Sequence, residues 1–372
     1  MLIANNIVEG SKEKIKLYAG LVCPRRSMDY RKLEKYFMLN GCEIVSDPNL
    51  ATHIVIVTCG FIERNIQESL KILEYARKTG ASVIVAGCLP DIDSKRLENY
   101  KISGIITTKE IERIDSFFPD FAVKFRDVVD ANELHDYHEI DSICGKRDNY
   151  IEKCFYDRYE FEYKIKTFLI RIADGCNCKY SYCSHRDAIG VFRSKSMETC
   201  INEYKKGLEN GFRVFRITAM DTGHYGIDIK TNLPALIDKF LSIDSEVQFI
   251  LDDLNPVWLV KYGDAIADYC KNGKIRMVSI PIQSGSPSVL KQMKRYTKTE
   301  ELKSISNKIK TAYPALNFMT EILVGFPGES ESDFDATLNF LFDAHIDYAY
   351  FYPYYENERI DSASIYPKNS SL

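Results

Sequence analysis

The sequence predicts an α/β protein in two parts: a doubly wound parallel sheet at the amino end, then a partial (β/α)6 barrel. Three observations predict it. Residues 1–120 alternate continuous apolar runs with helical patterns, as strands buried on both faces of a parallel sheet do. From Tyr163 on, a strand-then-helix pattern recurs about six times, which implies a parallel sheet curling toward a barrel. Several cysteines fall just past the carboxyl ends of predicted strands, the edge where such sheets build their sites. For 372 residues two domains are the default, here 1–120 and 163–372 with 121–162 between them.

Composition narrows the function classes. A hydrophobic share of 45% and a charged share of 27% are those of an ordinary globular chain, long enough to bury a sizeable core. A net charge of −4 gives no basic field to hold nucleic acid. Met1 to Gly10 lacks the charged and apolar segments of a secretory leader, and no apolar run reaches membrane-spanning length. The expected location is the cytoplasm, with no membrane partner. In that reducing compartment the eleven cysteines serve metal binding or catalysis rather than disulfides.

In the first part, residues 14–23 read as a strand. Residues 27–40 read as a helix, with Leu33, Tyr36, Phe37 and Leu39 mostly on one face and Gly41 as its stop. Residues 51–59 form a buried strand through Ile54, Val55, Ile56 and Val57. A helix over 62–78 carries Ile66, Leu70, Ile72 and Leu73 and ends at Gly80. Residues 81–88 are a further buried strand (Val83, Ile84, Val85), and 101–107 a fourth. Residues 121–162 are rich in charge and tyrosine with weak periodicity, and read as a linker. His135 and His138 have ligand spacing there, but a solvated segment accounts for them.

The second part opens with a strand over 167–173 that alternates Phe168, Ile170 and Ile172. A helix follows, capped by Ser196, carrying Met197, Ile201, Tyr204 and Leu208, and stopped by Gly211. Four strand–helix pairs come next: 214–219 with 233–241, 247–251 with 256–269, 276–282 with 286–293, and 318–324 with 332–343. Residues 347–352 are the last strand.

Cys23, Cys59 and Cys88 each lie just past a strand of the first sheet, so their thiolates can converge on one edge. Any one alone reads as a small buried hydrophobe. Three at equivalent positions point to a shared metal or cluster. Cys42, Cys144, Cys154, Cys200 and Cys270 lack that logic and read as structural. In the second part, the loop Asp174 to His185 carries Cys176, Cys178 and Cys183 beyond a strand. Three thiolates on such a loop can hold three corners of an iron–sulfur cube and leave the fourth iron open.

These residues resemble the radical S-adenosylmethionine (SAM) methylthiotransferases, and the resemblance spans almost the whole chain. Cys23, Cys59 in Val57-Thr58-Cys59, and Cys88 in Ala86-Gly87-Cys88 match that family's auxiliary-cluster ligands. Gly175-Cys176-Asn177 and Ser181-Tyr182-Cys183 match the radical SAM loop, and Arg193 to Ser196 a Ser-Arg segment. Asp221 to Asp228 is most similar to the branch that modifies a ribosomal protein. Pro281 to Ser286 with Leu290, Met293, Lys294 and Arg295 matches a further signature, as does Ile322 to Glu329 followed by Asp333-Phe334.

The resemblance implies a radical SAM barrel, two [4Fe–4S] clusters, SAM, and a reductant such as flavodoxin or ferredoxin. It implies reductive cleavage of SAM to a 5′-deoxyadenosyl radical, and sulfur or methylthio insertion at an unactivated C–H bond of a protein, RNA or small molecule; the alternatives are a different radical SAM step in which the Cys23/Cys59/Cys88 cluster relays electrons, or a non-catalytic relative whose cluster is impaired by Tyr180. Asp221 and Thr222 would lie near the methionyl part, and Gln283 and Ser284 near the ribose. Val324 and Gly325 would border the adenine, and Arg193 would meet the SAM carboxylate. Asp221 reads equally as a helix cap, and Arg193 as a surface ion pair.

Two departures stand out. The family's loop spacing is Cys-x3-Cys-x2-Cys, and the middle position here is Tyr180. Cys178 can fill that corner through a re-routed loop, another group such as His185 can fill it, or the cluster is weak or absent. A phenolate suits such a site poorly. The family also carries a small C-terminal β-barrel domain for substrate, and the sequence given stops at Leu372 without room for it. The expectation is then a different docking surface, with a different peptide or a small molecule among the candidate substrates.

Overall fold

The computed structural model describes residues 13–134, 141–144, 167–356 and 360–364. His135, His138 and Cys154 lie outside the described residues. The chain divides into two compact units, residues 1–160 with 187–189, and residues 161–186 with 190–372.

The first unit is built on a parallel sheet of β1 (Lys14–Ala19), β2 (Glu43–Ile44), β3 (His53–Thr58), β4 (Ser82–Gly87) and β5 (Gly104–Thr107), in the order β2-β1-β3-β4-β5. The order reverses between β1 and β3, which makes that gap the switch point of a doubly wound sheet. Both faces are covered, and this is why the strands read as unbroken apolar runs. Val55 and Val57 of β3 pack with Leu33, Tyr36 and Phe37 of the helix Pro24–Leu39. Ile54 and Ile56 pack with Ile66, Ile72 and Leu73 of the helix Glu63–Ala76.

Three differences from the sequence reading have physical causes. The first helix begins at Pro24, not Ser27, since a proline in the first turn lacks only an N–H that has no helical partner there. The two-residue edge strand β2 is too short to show a period. The linker reading is corrected at its start: Phe121, Phe125 and Val128 are buried in the first unit's core. Asn40 clamps this segment, its Nδ2 donating to Val123 O at 3.0 Å and its Oδ1 accepting from Val123 N at 2.9 Å.

The second unit carries six parallel strands: β6 (Thr167–Arg171), β9 (Val214–Thr218), β10 (Gln248–Leu251), β11 (Ile275–Ser279), β12 (Asn317–Val324) and β13 (Tyr348–Pro353). Two short strands, β7 (Ala173–Asp174) and β8 (Arg193–Ser194), pair antiparallel beside them. Each of the six pairs with its neighbour in sequence, so the sheet advances in one direction as a partial barrel does. Alternate residues Phe168, Ile170, Phe215, Ile217, Phe249 and Leu251 share one core with Tyr204, Leu236, Phe240 and Ile266 of the covering helices. The opposite face carries Ile250, Met277 and Met319, and an ion pair, Arg216 Nε to Asp252 Oδ2 at 2.7 Å, with both side chains buried. Ser196 caps its helix as expected, accepting from Thr199 N. The helix Thr299–Ala312 was not anticipated, although Leu302, Ile305 and Ile309 carry its period.

Candidate functional site

In the first unit the strand register decides where the cysteines fall. Thr58 pairs with Gly87, so Cys59 and Cys88 leave adjacent strands side by side, and Cys88 N donates to Thr58 O at 3.1 Å. Cys23 follows β1, on the other side of β3, at the N-terminal boundary of the helix Pro24–Leu39, with no capping bond from its side chain. Gly87 has φ of +103°, and a Cβ there would lie 2.4 Å from Thr58 O, so this approach requires glycine. Burial pushes the Cys88 thiol up to about 12; the Arg26 cation opposes this, while Cys23 and Cys59 add to it. Phe61 N donates to Cys59 Sγ at 3.5 Å.

The ten cysteines among the described residues are all free thiols. Among the described residues no group of three His, Cys, Asp or Glu closes around a single metal ion. A four-iron cube takes one ligand on each corner and so asks for wider spacing. Three soft donors at neighbouring strand ends fit a cluster held at three corners.

In the second unit the loop after β7 is pinned at several points. Gly175 has φ of +73°, and a Cβ there would lie 2.1 Å from Val191 O. Cys176 N donates to Gly190 O at 3.1 Å, and Phe192 N donates to Asn177 Oδ1 at 3.1 Å. Ser181 N donates to Met293 O, and Ser181 Oγ to Gln292 O at 2.8 Å. Cys178 N donates to Cys176 Sγ at 3.4 Å. The closeness of the Cys176 and Cys178 thiols holds Cys178 below the usual thiol range and Cys176 above it. Burial raises Cys183, against the nearby backbone N–H groups of His185 and Arg186. Three thiols carried on one pinned loop again fit a cluster with one open corner.

Tyr180 turns toward the barrel. Asn255 Nδ2 donates to its hydroxyl, and its ring lies 4.3 Å from the Arg295 guanidinium and parallel to Tyr182 with centroids 5.9 Å apart. Arg295 Nη1 donates to the Tyr182 hydroxyl at 2.8 Å and Nη2 to Pro281 O. Burial holds the Tyr180 phenol above its ordinary range, so it keeps its proton.

The other expected residues separate by what their polar atoms do. Asp221 starts a one-turn helix but makes no side-chain cap bond, which sets the capping alternative aside. Its Oδ2 accepts from Trp258 Nε1 at 3.0 Å and lies 3.9 Å from Cys178 Sγ; its Oδ1 is buried without a hydrogen-bond partner. Burial raises its carboxyl. Gln283, at φ of +76°, ties strand ends together, its N donating to Glu321 O and its O accepting from Leu323 N.

Thr222 and Ser284 are fully buried, and their hydroxyls are engaged within the fold. Thr222 Oγ1 donates to Asp252 O at 2.7 Å, and Ser284 Oγ meets Thr337 Oγ1 at 3.2 Å and accepts from Ser286 N. Val324 ends β12, and Gly325, at φ of +75°, faces open space. Arg193 is exposed on β8 and is not gathered with the others, whereas Ser194 Oγ accepts from Gly226 N at 2.9 Å. Sequence reasoning assigned no role to Arg295, Asn255 or Trp258. Arg295 lay within a quoted motif, and Asn255 follows a strand end, so position was their only signal.

Comparison with known proteins agrees with this architecture. Residues 170–341 match the radical SAM superfamily, and residues 18–106 match an uncharacterised protein family, UPF0004. The ribosomal protein uS12 methylthiotransferase RimO of Pseudothermotoga lettingae is 31% identical over 360 residues, covering 94% of this chain and 78% of the relative. A probable threonylcarbamoyladenosine tRNA methylthiotransferase of Pyrococcus horikoshii is 29% identical over 320 residues, covering 86% and 72%. The radical SAM methyltransferase TsrM of Kitasatospora setae shares the fold, with a TM-score of 0.66 at 12% identity over 94% of this chain and 77% of that one. Among the described residues no helix is long and apolar enough to cross a membrane. With the parallel sheets, the strand-end cysteines and these relatives, the chain belongs to the radical SAM methylthiotransferase family.

Proposed function

We propose that this protein is a methylthiotransferase acting on an unactivated C–H bond of a protein or RNA, with a small molecule as the remaining alternative. The observation that carries the reading is that each unit carries three free thiols just past its strands, Cys23, Cys59 and Cys88 in one, Cys176, Cys178 and Cys183 in the other. When bound, two [4Fe–4S] clusters and SAM supply the electron, the hydrogen abstraction and the sulfur.

The chain's own residues bind and orient. Cys176, Cys178 and Cys183 hold the SAM-side cluster, and Cys23, Cys59 and Cys88 the auxiliary one. The unpartnered Oδ1 of Asp221 supports a role in receiving the ammonium end of SAM, because a buried acceptor without a donor is costly until one arrives. The Gly325 turn leaves room for a flat base against its backbone. The electron comes from a small reductant such as flavodoxin or ferredoxin, and the setting is the cytoplasm. The domain division 1–120, 121–162 and 163–372 is proposed with the first boundary moved past Val128.

Anaerobic reconstitution tests this reading. About eight irons per chain are expected, falling by about four in Cys23→Ala, with 5′-deoxyadenosine formed from SAM and dithionite. Four irons in the intact protein, or no 5′-deoxyadenosine, would refute it.

A further inference from the structure

Trp258 stands in the first turn of the helix Pro256–Lys271, its backbone N donating to Asn255 O at 2.8 Å. Its indole is walled in. The Tyr262 ring lies nearly parallel to it with centroids 5.6 Å apart, and the His224 ring meets it edge-on, also at 5.6 Å. Lys261 Nζ lies 4.8 Å from the ring centre, a cation–π contact. A Cβ on Gly223 would overlap the Trp258 side chain, so the loop passes the indole only with glycine. An indole N–H donates and cannot accept. Here it is delivered to Asp221 Oδ2 at 3.0 Å, an oxygen that also lies 3.9 Å from Cys178 Sγ. Asp221 is 4% exposed, and its other oxygen, Oδ1, is buried without a hydrogen-bond partner. With one oxygen held by a ring that cannot swing, the carboxylate plane is set. The second oxygen then points where no donor among the described residues meets it.

We propose that Trp258 is a positioning residue: its indole N–H holds Asp221 Oδ2 so that Oδ1 stays set to receive the ammonium group at the amino-acid end of SAM. A carboxylate free to rotate would have to be ordered each time a ligand arrived, and that ordering would weaken binding. The rings around the indole also keep water from the pair, so a charge-assisted bond formed there is stronger than at the surface. The effect is selective. Trp258 acts on a ligand that carries a protonated amine and leaves one without it nearly untouched. The inference rests on the proposed binding of SAM by this unit.

The test uses the full chain, reconstituted anaerobically. It is titrated by calorimetry with S-adenosylhomocysteine, which has no sulfonium to cleave, and with the same compound lacking the amine. Trp258→Phe keeps a flat ring and removes the N–H. It is expected to weaken S-adenosylhomocysteine by about ten- to a hundredfold, the range of a lost charge-assisted hydrogen bond, and the deaminated compound by less than about threefold. Asp221→Asn should show the same selectivity, and the double variant should bind no more weakly than Asp221→Asn alone. Trp258 is the chain's one tryptophan, so its emission reads the contact in the unaltered protein. S-adenosylhomocysteine should shift that emission and the deaminated compound should not, which decides the matter if Trp258→Phe does not fold. Equal effects of the two compounds, on affinity in Trp258→Phe or on the emission, or no effect of either, would make the indole a packing group only. Unchanged S-adenosylhomocysteine affinity in Asp221→Asn would take the carboxylate away from the ammonium, and loss of about four irons there would make it a cluster ligand. Each of these results overturns the proposal and leaves the proposed function standing. Failure of the unaltered protein to bind S-adenosylhomocysteine at all would refute both.

Discussion

Replacing Arg216 with methionine isolates the cost of an unpaired charge inside the second unit. Arg216 Nε donates to Asp252 Oδ2 at 2.7 Å, and the two side chains are 4% and 6% exposed. Methionine has similar reach and no charge, so packing changes little while the Asp252 carboxylate loses that partner. Removing one member of a buried pair costs about 3–5 kcal/mol, because the remaining charge stays desolvated. For a unit of this size, each kcal/mol moves the midpoint by about 2–4 °C, giving a fall of roughly 6–20 °C. Scanning calorimetry of the full chain at neutral pH, following the transition that carries the second unit, reads it directly. The double variant Arg216→Met, Asp252→Leu removes both charges and should recover most of the loss. A single variant within about 1 kcal/mol of wild type would refute the reasoning, since the pair would then be effectively solvated. A double variant as unstable as the single one would place the cost in packing rather than charge.

Three further outcomes follow from other contacts. Gly207→Ala should destabilise by about 1–3 kcal/mol in urea unfolding, despite a helix-propensity gain of about 1 kcal/mol, because the new Cβ would lie 2.5 Å from the Phe215 ring and 3.0 Å from Phe168. Asp333→Ala should cost about 1 kcal/mol at neutral pH by removing a capping box. Hydrogen bonds from Ser286 and Ser330 hold the Asp333 carboxyl well below its usual range. Its contribution is therefore complete above the unfolded carboxyl value and fades as acid protonates it. The gap between wild type and variant should narrow as pH falls below about 4. Gly87→Ala forces a Cβ to 2.4 Å from Thr58 O beside Cys88, and should lose about four irons on reconstitution while the second unit's share is kept.

The sequence by itself determined the two parallel sheets and the placement of the cysteines. Apolar runs at residues 54–57 and 83–85 have only one comfortable home, a strand covered on both faces. A cysteine directly after such a run must lie at the sheet's carboxyl edge, so Cys23, Cys59 and Cys88 were legible as a set. Only the tertiary structure decided what Tyr180 touches. Its partners Asn255 and Arg295 lie 75 and 115 residues away in the chain, and no local pattern encodes which side chains from different strand ends will meet. Tertiary packing likewise separated Asp221, whose Oδ1 stays unpartnered, from Thr222 and Ser284, whose hydroxyls close on the fold's own backbone and side chains. Periodicity records which face of an element is buried. It does not record whether a polar atom on that face finds its partner inside the protein or is left to meet one from outside.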